Sequence, residues 1–205
     1  MATRKPVRWH IAVFLAPAVL VYTALMIIPL FGTLAQSMMN VTEAGERVFV
    51  GLQNFATLFG DALWSDAFWN ALGNNTWFFV IHMLVQNPIG IALAAILSTP
   101  KLRMAAFYRT AIFIPTILSF VIVGFVWKLI LSPIWGIAPG MLDAVGLKFL
   151  FAPWLGKEEY ALTTLALISV WQFVGIPMML IYAALLSIPD EVIEAAEMDG
   201  ITGWS

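Results

Sequence analysis

The chain has 205 residues, a formal net charge of -2, no cysteine, 61% hydrophobic residues and 11% charged residues, with a mean hydropathy of +0.91. A soluble domain carries about a quarter charged residues and could not bury this much apolar surface, so the class is integral membrane protein. The charge balance offers no footing for a nucleic-acid partner, and the lack of cysteine excludes disulfides and thiolate metal sites.

Four stretches contain no Asp, Glu, Lys or Arg and are long enough to span: residues 9–42, 69–100, 110–127 and 160–189. A spanning helix needs about 20 mostly apolar residues. The runs are continuously apolar rather than alternating, which favours helices over a barrel. The expected fold is an all-α integral membrane bundle of kinked helices, with spans at about 9–40, 70–99, 106–130 and 160–188. The first run follows Arg4, Lys5 and Arg8, but it is much longer than the 7–15 residues of a signal-peptide core and reads as a retained helix. The third run is short, and Arg109 and Lys128 at its ends can snorkel to the interfaces.

Lys and Arg mark cytoplasmic connections. They crowd the N-terminus and the turn that holds Lys101, Arg103 and Arg109, whereas the connection at about 43–68 holds Arg47 against Glu43, Glu46, Asp61 and Asp66. The N-terminus and the second connection are therefore expected in the cytoplasm, and the first and third connections outside. Within the first outer loop, Leu58, Phe59, Leu63, Trp64, Phe68, Trp69 and Leu72 suggest a short amphipathic helix at the outer interface. The second outer loop, residues 132–157, is rich in Pro and Gly and reads as turns with at most short helices.

Each span carries a proline: Pro17 and Pro29, Pro88, Pro115, and Pro177. Such kinks suit a bundle around a cavity, although membrane helices are in any case richer in proline than soluble ones. In the second span, His82 and Gln86 share a helical face and Asn87 follows; they read either as interhelical hydrogen-bonding glue or as a proton relay. No phosphate loop, metal-ligand spacing or nucleophile–base arrangement appears, so no catalytic or metal residue is expected. No internal repeat supports an inverted-repeat carrier.

The most informative stretch is Ser187-Ile-Pro-Asp-Glu-Val-Ile-Glu-Ala-Ala-Glu-Met-Asp-Gly-Ile-Thr-Gly-Trp-Ser205. Pro189 followed by Asp190 and Glu191 is a helix-start signal, and Gly200 can end the helix. The segment carries five acids and no Lys or Arg, and Ala195 and Ala196 leave room for close approach by another protein.

This segment resembles the EAA loop of ABC importer permeases, in which Glu-Ala-Ala is followed after three residues by Gly. Glu194, Ala195, Ala196 and Gly200 fill those positions, and Ile188, Pro189, Glu191, Asp199 and Trp204 resemble the version in carbohydrate permeases of the maltose-transporter type. The likeness extends upstream through Gly51-Leu52-Gln53-Asn54-Phe55, Phe68-Trp69 with Asn74-Asn75-Thr76, Phe107-Tyr108-Arg109 with Pro115, Ser119, Gly124 and Trp127, and Trp171 with Gly175-Ile176-Pro177-Met178. Ala138-Pro139-Gly140 departs from it, standing where such permeases often have an Asn-containing turn. The family pattern continues past the glycine into two further helices. The chain is accordingly expected to be a single transmembrane domain truncated at Ser205, with four of about six spans and a coupling segment at 189–205.

The resemblance implies a multi-pass subunit of the bacterial inner membrane that forms part of a path for a sugar or sugar-like solute. It implies three partners: a second permease subunit in a heterodimer, an ABC ATPase dimer and an extracytoplasmic solute-binding protein. ATP and Mg would be held by the ATPase, with no cofactor on this chain. Glu194, Ala195, Ala196, Asp199 and Gly200 are the expected ATPase-docking residues, and Trp171, Gln172, Gly175 and Met178 the expected solute-pathway residues. Which solute is carried stays open. Two rivals are weaker. An ion-coupled secondary transporter or channel subunit should show charged residues within its spans, and a membrane-embedded enzyme should show clustered His and carboxylates.

Overall fold

The computed structural model describes residues 9–99 and 102–200. Arg4, Lys5, Arg8, Pro100, Lys101 and Trp204, on which parts of the orientation and family readings rest, lie outside the described residues, as does the rest of 201–205. The chain divides into two compact units, Met1–Ala71 and Leu72–Ser205.

The first unit opens with α1, Trp9–Ser37, a 29-residue helix long and apolar enough to cross a membrane. It buries none of its residues; Phe14 is 82% exposed. A helix apolar on every side is stable only in an apolar surrounding. Its one irregularity is a π-turn at Thr23–Ile27, directly before Pro29. Proline lacks an N–H and its ring crowds the carbonyl four residues back, and a widened turn relieves both. A short antiparallel hairpin comes next, with β1 (Met39–Val41) paired to β2 (Arg47–Phe49) so that Asn40 faces Val48. Three successive carbonyls at the end of α1 are then satisfied from a single stretch. Met38 O accepts from the Val50 and Gly51 amides, while the Asn54 side-chain amide donates to Ser37 O and Met39 O, both at 2.9 Å. Asn54 thus gives the Gly51–Phe55 stretch a structural reason: it closes a helix end that would otherwise leave carbonyls unpaired.

Asn54 lies on α2, Gln53–Gly60. Asp61 separates α2 from the long helix α3, Ala62–Leu97. The Asp61 carboxylate accepts from the Leu63 and Trp64 amides at 2.9 and 3.4 Å, an N-cap that starts the new helix. The interfacial helix expected across Leu58–Leu72 is therefore split. Leu58 and Phe59 belong to α2, and Leu63 onward to the first turns of a 36-residue helix. Phe68 packs edge to face with both Phe59 and Trp69 across the join, with ring centroids 5.3 and 5.2 Å apart.

The second unit holds the rest of α3, with a π-turn at His82–Gln86 directly before Pro88. Next come α4 (Ala105–Ile117) and α5 (Phe120–Ile130), which meet at 99°. The third apolar run is thus two helices rather than one kinked rod. The reason is local: Pro115 tightens the end of α4 into a 3-10 turn, and Leu118 and Ser119 are extended, with ψ of 143° and 138°. Helix α6, Ile137–Ala144, carries Pro139 within its first turn, where proline is tolerated. It is the one α-helix described in the 132–157 loop, followed by an exposed Lys148–Asp143 ion pair at 3.1 Å.

Two further helices, α7 (Glu158–Phe173) and α8 (Gly175–Leu186), are bent by 41° at Val174. They run parallel to α3 and in step with it. Trp77 bonds Thr163, His82 bonds Ser169 and Gln86 bonds Phe173, at sequence separations of 86, 87 and 87. Further along, Gly90 packs on Pro177 and Met178. Two apolar clusters fill this seam: Ile81 with Ala166 and Val170, and Ala94 and Leu97 with Met178. The last element is α9, Asp190–Met198.

Candidate functional site

Two features stand out chemically: the helix α9 and a set of polar bonds where the helices break.

Helix α9 begins where Pro189 and Asp190 suggest, and the Pro189 carbonyl accepts from the Val192 amide at 3.0 Å. Its end is closed by the Asp199 amide bonding Ala195 O at 3.0 Å. Gly200 comes next at φ 77°, a left-handed conformation that glycine adopts without cost. Of the expected docking residues, Glu194, Ala195, Asp199 and Gly200 are exposed and Ala196 is half-buried. Val192, Ile193 and Met198 are exposed as well, Met198 by 89%. A nine-residue helix that turns Glu191 and Glu194 outward together with its apolar side chains has little intrinsic stability. It offers a surface instead: small residues for close approach, apolar contacts and carboxylates together.

The expected pathway residues fall into two groups. Trp171 is 44% exposed and its ring meets Trp127 edge to face at 5.5 Å. Gln172, Gly175 and Met178 are buried in the packing. Gln172 is 2% exposed, and its side-chain amide donates to Leu118 O at 3.0 Å. In return the Thr116 hydroxyl donates to Gln172 O at 2.9 Å. The two bonds form a clasp between the α4–α5 break and the end of α7. Leu118 O needs such a donor, because the extended backbone there offers it no helical partner. Gly175 brings the start of α8 against the α4 backbone: a Cβ there would meet Ile112 O and Phe113 Cα at 3.0 Å. Met178 is fully buried against Ala94 and Leu97.

The π-turn of α3 joins the same set. Gln86 Nε2 donates to Phe173 O at 3.2 Å, the carbonyl four residues before Pro177 that has lost its helical partner. The buried Gln86 Oε1 has no partner among the described residues. Phe78 O can only accept, so His82 Nδ1 carries a proton toward it at 2.9 Å, and His82 Nε2 pairs with the Ser169 hydroxyl at 3.1 Å. His82 and Gln86 therefore act as interhelical bonds in this structure, of the two roles the sequence left open.

Sequence reading does not single out one cavity. About 420 Å³ in volume, it is lined by Trp127, Leu131, Trp154, Tyr160, Thr163, Thr164, Leu167 and Ile168. Its walls come from α5, α7 and the loop before α7, and no spacing in the sequence links them. Trp127 belongs both to this cavity and to the Trp171 pair. Among the described residues no group of His, Cys, Asp and Glu could hold a metal ion.

No family model matches the chain. It is 35% identical over 189 residues, 91% of this chain, to the probable ABC transporter permease protein YurN of Bacillus subtilis, and spans 63% of that protein. It is 31% identical over 191 residues, 93% of this chain, to the probable starch degradation products transport system permease protein AmyD of Thermoanaerobacterium thermosulfurigenes, spanning 62% of it. It is also 31% identical over 195 residues, 93% of this chain, to the osmoprotective compounds uptake permease protein GgtC of Synechocystis, spanning 67% of it. Among solved structures, its fold matches a chain of a bacterial ABC transporter involved in the import of the acidic polysaccharide alginate. That match has a TM-score of 0.75 and 23% identity, and covers 96% of this chain and 64% of the other. With identities above 30% over nearly its whole length and with this fold, the chain belongs to the ABC transporter permease family.

Proposed function

We propose that the protein to which this chain belongs is the inner-membrane permease subunit of an ATP-driven importer. This chain would supply part of the solute path and the helix that receives the ATPase's movement. The observation that carries the reading is α9. It is a short helix whose Val192, Glu194, Ala195 and Met198 are all exposed, closed by Gly200 in the left-handed conformation. Glu194 and Asp199 are the charged contacts, Ala195 and Ala196 the close-packing surface, and Gly200 sets the exit of the chain. The permease hydrolyses nothing; ATP and Mg belong to the ATPase dimer. A second permease subunit completes the path, and a binding protein delivers solute from outside. ATP closure and solute must bias the same two-state arrangement of helices for transport to be coupled.

For the solute, a sugar or sugar-like molecule is favoured by the resemblance to carbohydrate permeases and by the aromatic surfaces available. Trp171 and Trp127 offer ring faces, and Thr163 and Thr164 offer hydroxyls beside them. Such a mixture suits a solute with apolar ring faces and polar edges. Gln172, Gly175 and Met178 would then serve the path by holding its wall, not by touching solute.

The test is co-purification of the full-length subunit with its ATPase. Glu194→Lys reverses the docking charge, and Gly200→Asp strains the left-handed exit. Both are expected to lose the ATPase while the permease pair stays assembled. Retention of the ATPase by both variants would reject the docking role of α9.

A further inference from the structure

Arg109 has no carboxylate partner among the described residues, where the one recorded ion pair is Lys148–Asp143. It lies five residues into α4, half-buried, with its guanidinium carbon 4.5 Å from the centre of the Tyr182 ring on α8. Tyr182 in turn lies four residues from the end of α8. At 1.5 Å per residue both are about one turn inside their helix ends. That is the depth of a headgroup region for helices that span the bilayer.

The stack fixes the guanidinium but uses none of its five N–H donors. Beside it lies a cavity of about 280 Å³ lined by Ala106, Arg109, Thr110, Phe113 and Met179. The four α4 residues follow the i, i+3, i+4, i+7 pattern of a single helical face. One end of this cavity is therefore a cation whose donors are open to a ligand. The rest is apolar apart from the Thr110 hydroxyl, which donates to Ala106 O at 3.0 Å.

We infer that this groove between α4 and α8 holds one anionic phospholipid. Its phosphate sits against Arg109, and an acyl chain runs along Phe113 and Met179. The charge is complementary, and arginine suits phosphate because its planar fork can give two parallel bonds. Basic pockets between membrane helices are a recurrent setting for such headgroups. The inference rests on reading the bent pairs α4–α5 and α7–α8 as membrane segments but not on the docking role of α9, so the two can fail separately. A bound lipid here would bridge α4 and α8, on either side of the Gln172 clasp, and would favour the arrangement in which the two helices are in contact.

The experiment is native mass spectrometry of the full-length subunit in its transporter complex, released from detergent doped with phosphatidylglycerol or phosphatidylcholine. The wild type is expected to retain one more phosphatidylglycerol than phosphatidylcholine. Arg109→Ala should weaken the retained phosphatidylglycerol about fivefold or more, the effect of removing one cation at an anionic surface. Met179→Trp fills the groove without touching charge and should lose the same lipid, while Arg103→Ala, on the exposed turn, should keep it. The inference is overturned if the wild type holds the two lipids equally, or if Arg109→Ala retains phosphatidylglycerol as well as the wild type. It is also overturned if excess inorganic phosphate displaces the lipid, which would mark a bare phosphate site, or if Arg109→Ala releases a partner subunit while lipid retention is unchanged.

Discussion

Replacing Gln172 with leucine separates two roles that the residue could have, wall and ligand contact. The side chain is 2% exposed and gives its amide proton to Leu118 O at 3.0 Å. Leucine has a similar volume but no donor, so the Leu118 carbonyl is left buried and unpaired, at a cost of about 1–3 kcal/mol. Added apolar burial offsets up to about 1 kcal/mol of that. Interhelical hydrogen bonds in membranes average about 0.6 kcal/mol and reach about 1.7, which points to the lower half of the range. A net loss of about 0.5–1.5 kcal/mol corresponds to a fall in unfolding temperature of roughly 1–6 °C for a chain of this size. The assay is thermal unfolding of the purified transporter in detergent, read beside transport kinetics of the same variant in vesicles. Thr116→Val removes the return bond to Gln172 O and should destabilise in the same way. The double variant should lose less than the two together, because both bonds close one clasp. A Gln172→Leu protein that unfolds at the wild-type temperature while its solute KM rises would refute the clasp and make Gln172 a solute contact.

Three other substitutions probe separate parts of the fold. Gly175→Ala places a Cβ 3.0 Å from Ile112 O and Phe113 Cα, atoms of a backbone that cannot turn aside. The expected cost is about 1–3 kcal/mol, seen as a lower unfolding temperature and a changed accessibility of cysteines placed along α8. Asn54→Leu leaves the Ser37 and Met39 carbonyls without their donor. It should speed proteolysis of the 38–53 hairpin while leaving the ATPase bound. Trp127→Leu and Trp171→Leu remove the paired rings; each should raise the solute KM several-fold with little change in unfolding temperature, and an unchanged KM for both would place the solute elsewhere.

The elements with local causes are legible in the sequence, and those with distant causes are not. Helix α9 can be placed because Pro189 and Gly200 act on their own neighbours, and the structure has Asp190–Met198 between them. The long runs without charge mark α1 and most of α3 for the same reason. The break between α4 and α5 cannot be placed. Pro115 announces a disturbance, but the 99° turn depends on an extended Leu118, and its carbonyl is satisfied by Gln172, 54 residues away. Similarly, an amide beside a tryptophan reads as a sugar contact when only its type is known. That one side chain is buried and the other half-exposed comes from the packing of the α4–α5 break against the end of α7, which composition does not encode. The start of α3 escapes sequence reading because Asp61 looks like one acid of an amphipathic face, and only its bonds to the Leu63 and Trp64 amides reveal an N-cap.

The parallel pairing of α3 with α7–α8 also changes how one part of the sequence reads. Pro88, Ala94, Ala95, Leu97, Ser98 and Pro100 recur, at the same spacing, as Pro177, Ala183, Ala184, Leu186, Ser187 and Pro189. An inverted repeat would place such strings antiparallel. Here the helices run the same way with Gly90 against Pro177, so α3 and α8 end on the same side of the membrane. The two strings are used differently in packing: Ala94 is buried against Met178, whereas Ala95, Ala183 and Ala184 are exposed. The charges beyond the two strings differ in sign. After the first come Lys101, Arg103 and Arg109; after the second come Asp190, Glu191, Glu194, Glu197 and Asp199. Cations at a helix end are held by an anionic bilayer surface, while carboxylates are repelled by it. The two segments therefore differ in how an anionic bilayer surface acts on them, attracting the first and repelling the second. Reversing the signs of Glu191 and Glu194 together should then do more than weaken a docking contact. It should draw α9 to the membrane, and a fluorophore at Met198→Cys would report this as quenching by lipid-borne nitroxides. Equal quenching in the parent and the charge-reversed protein would show that the bilayer surface has no part in presenting α9.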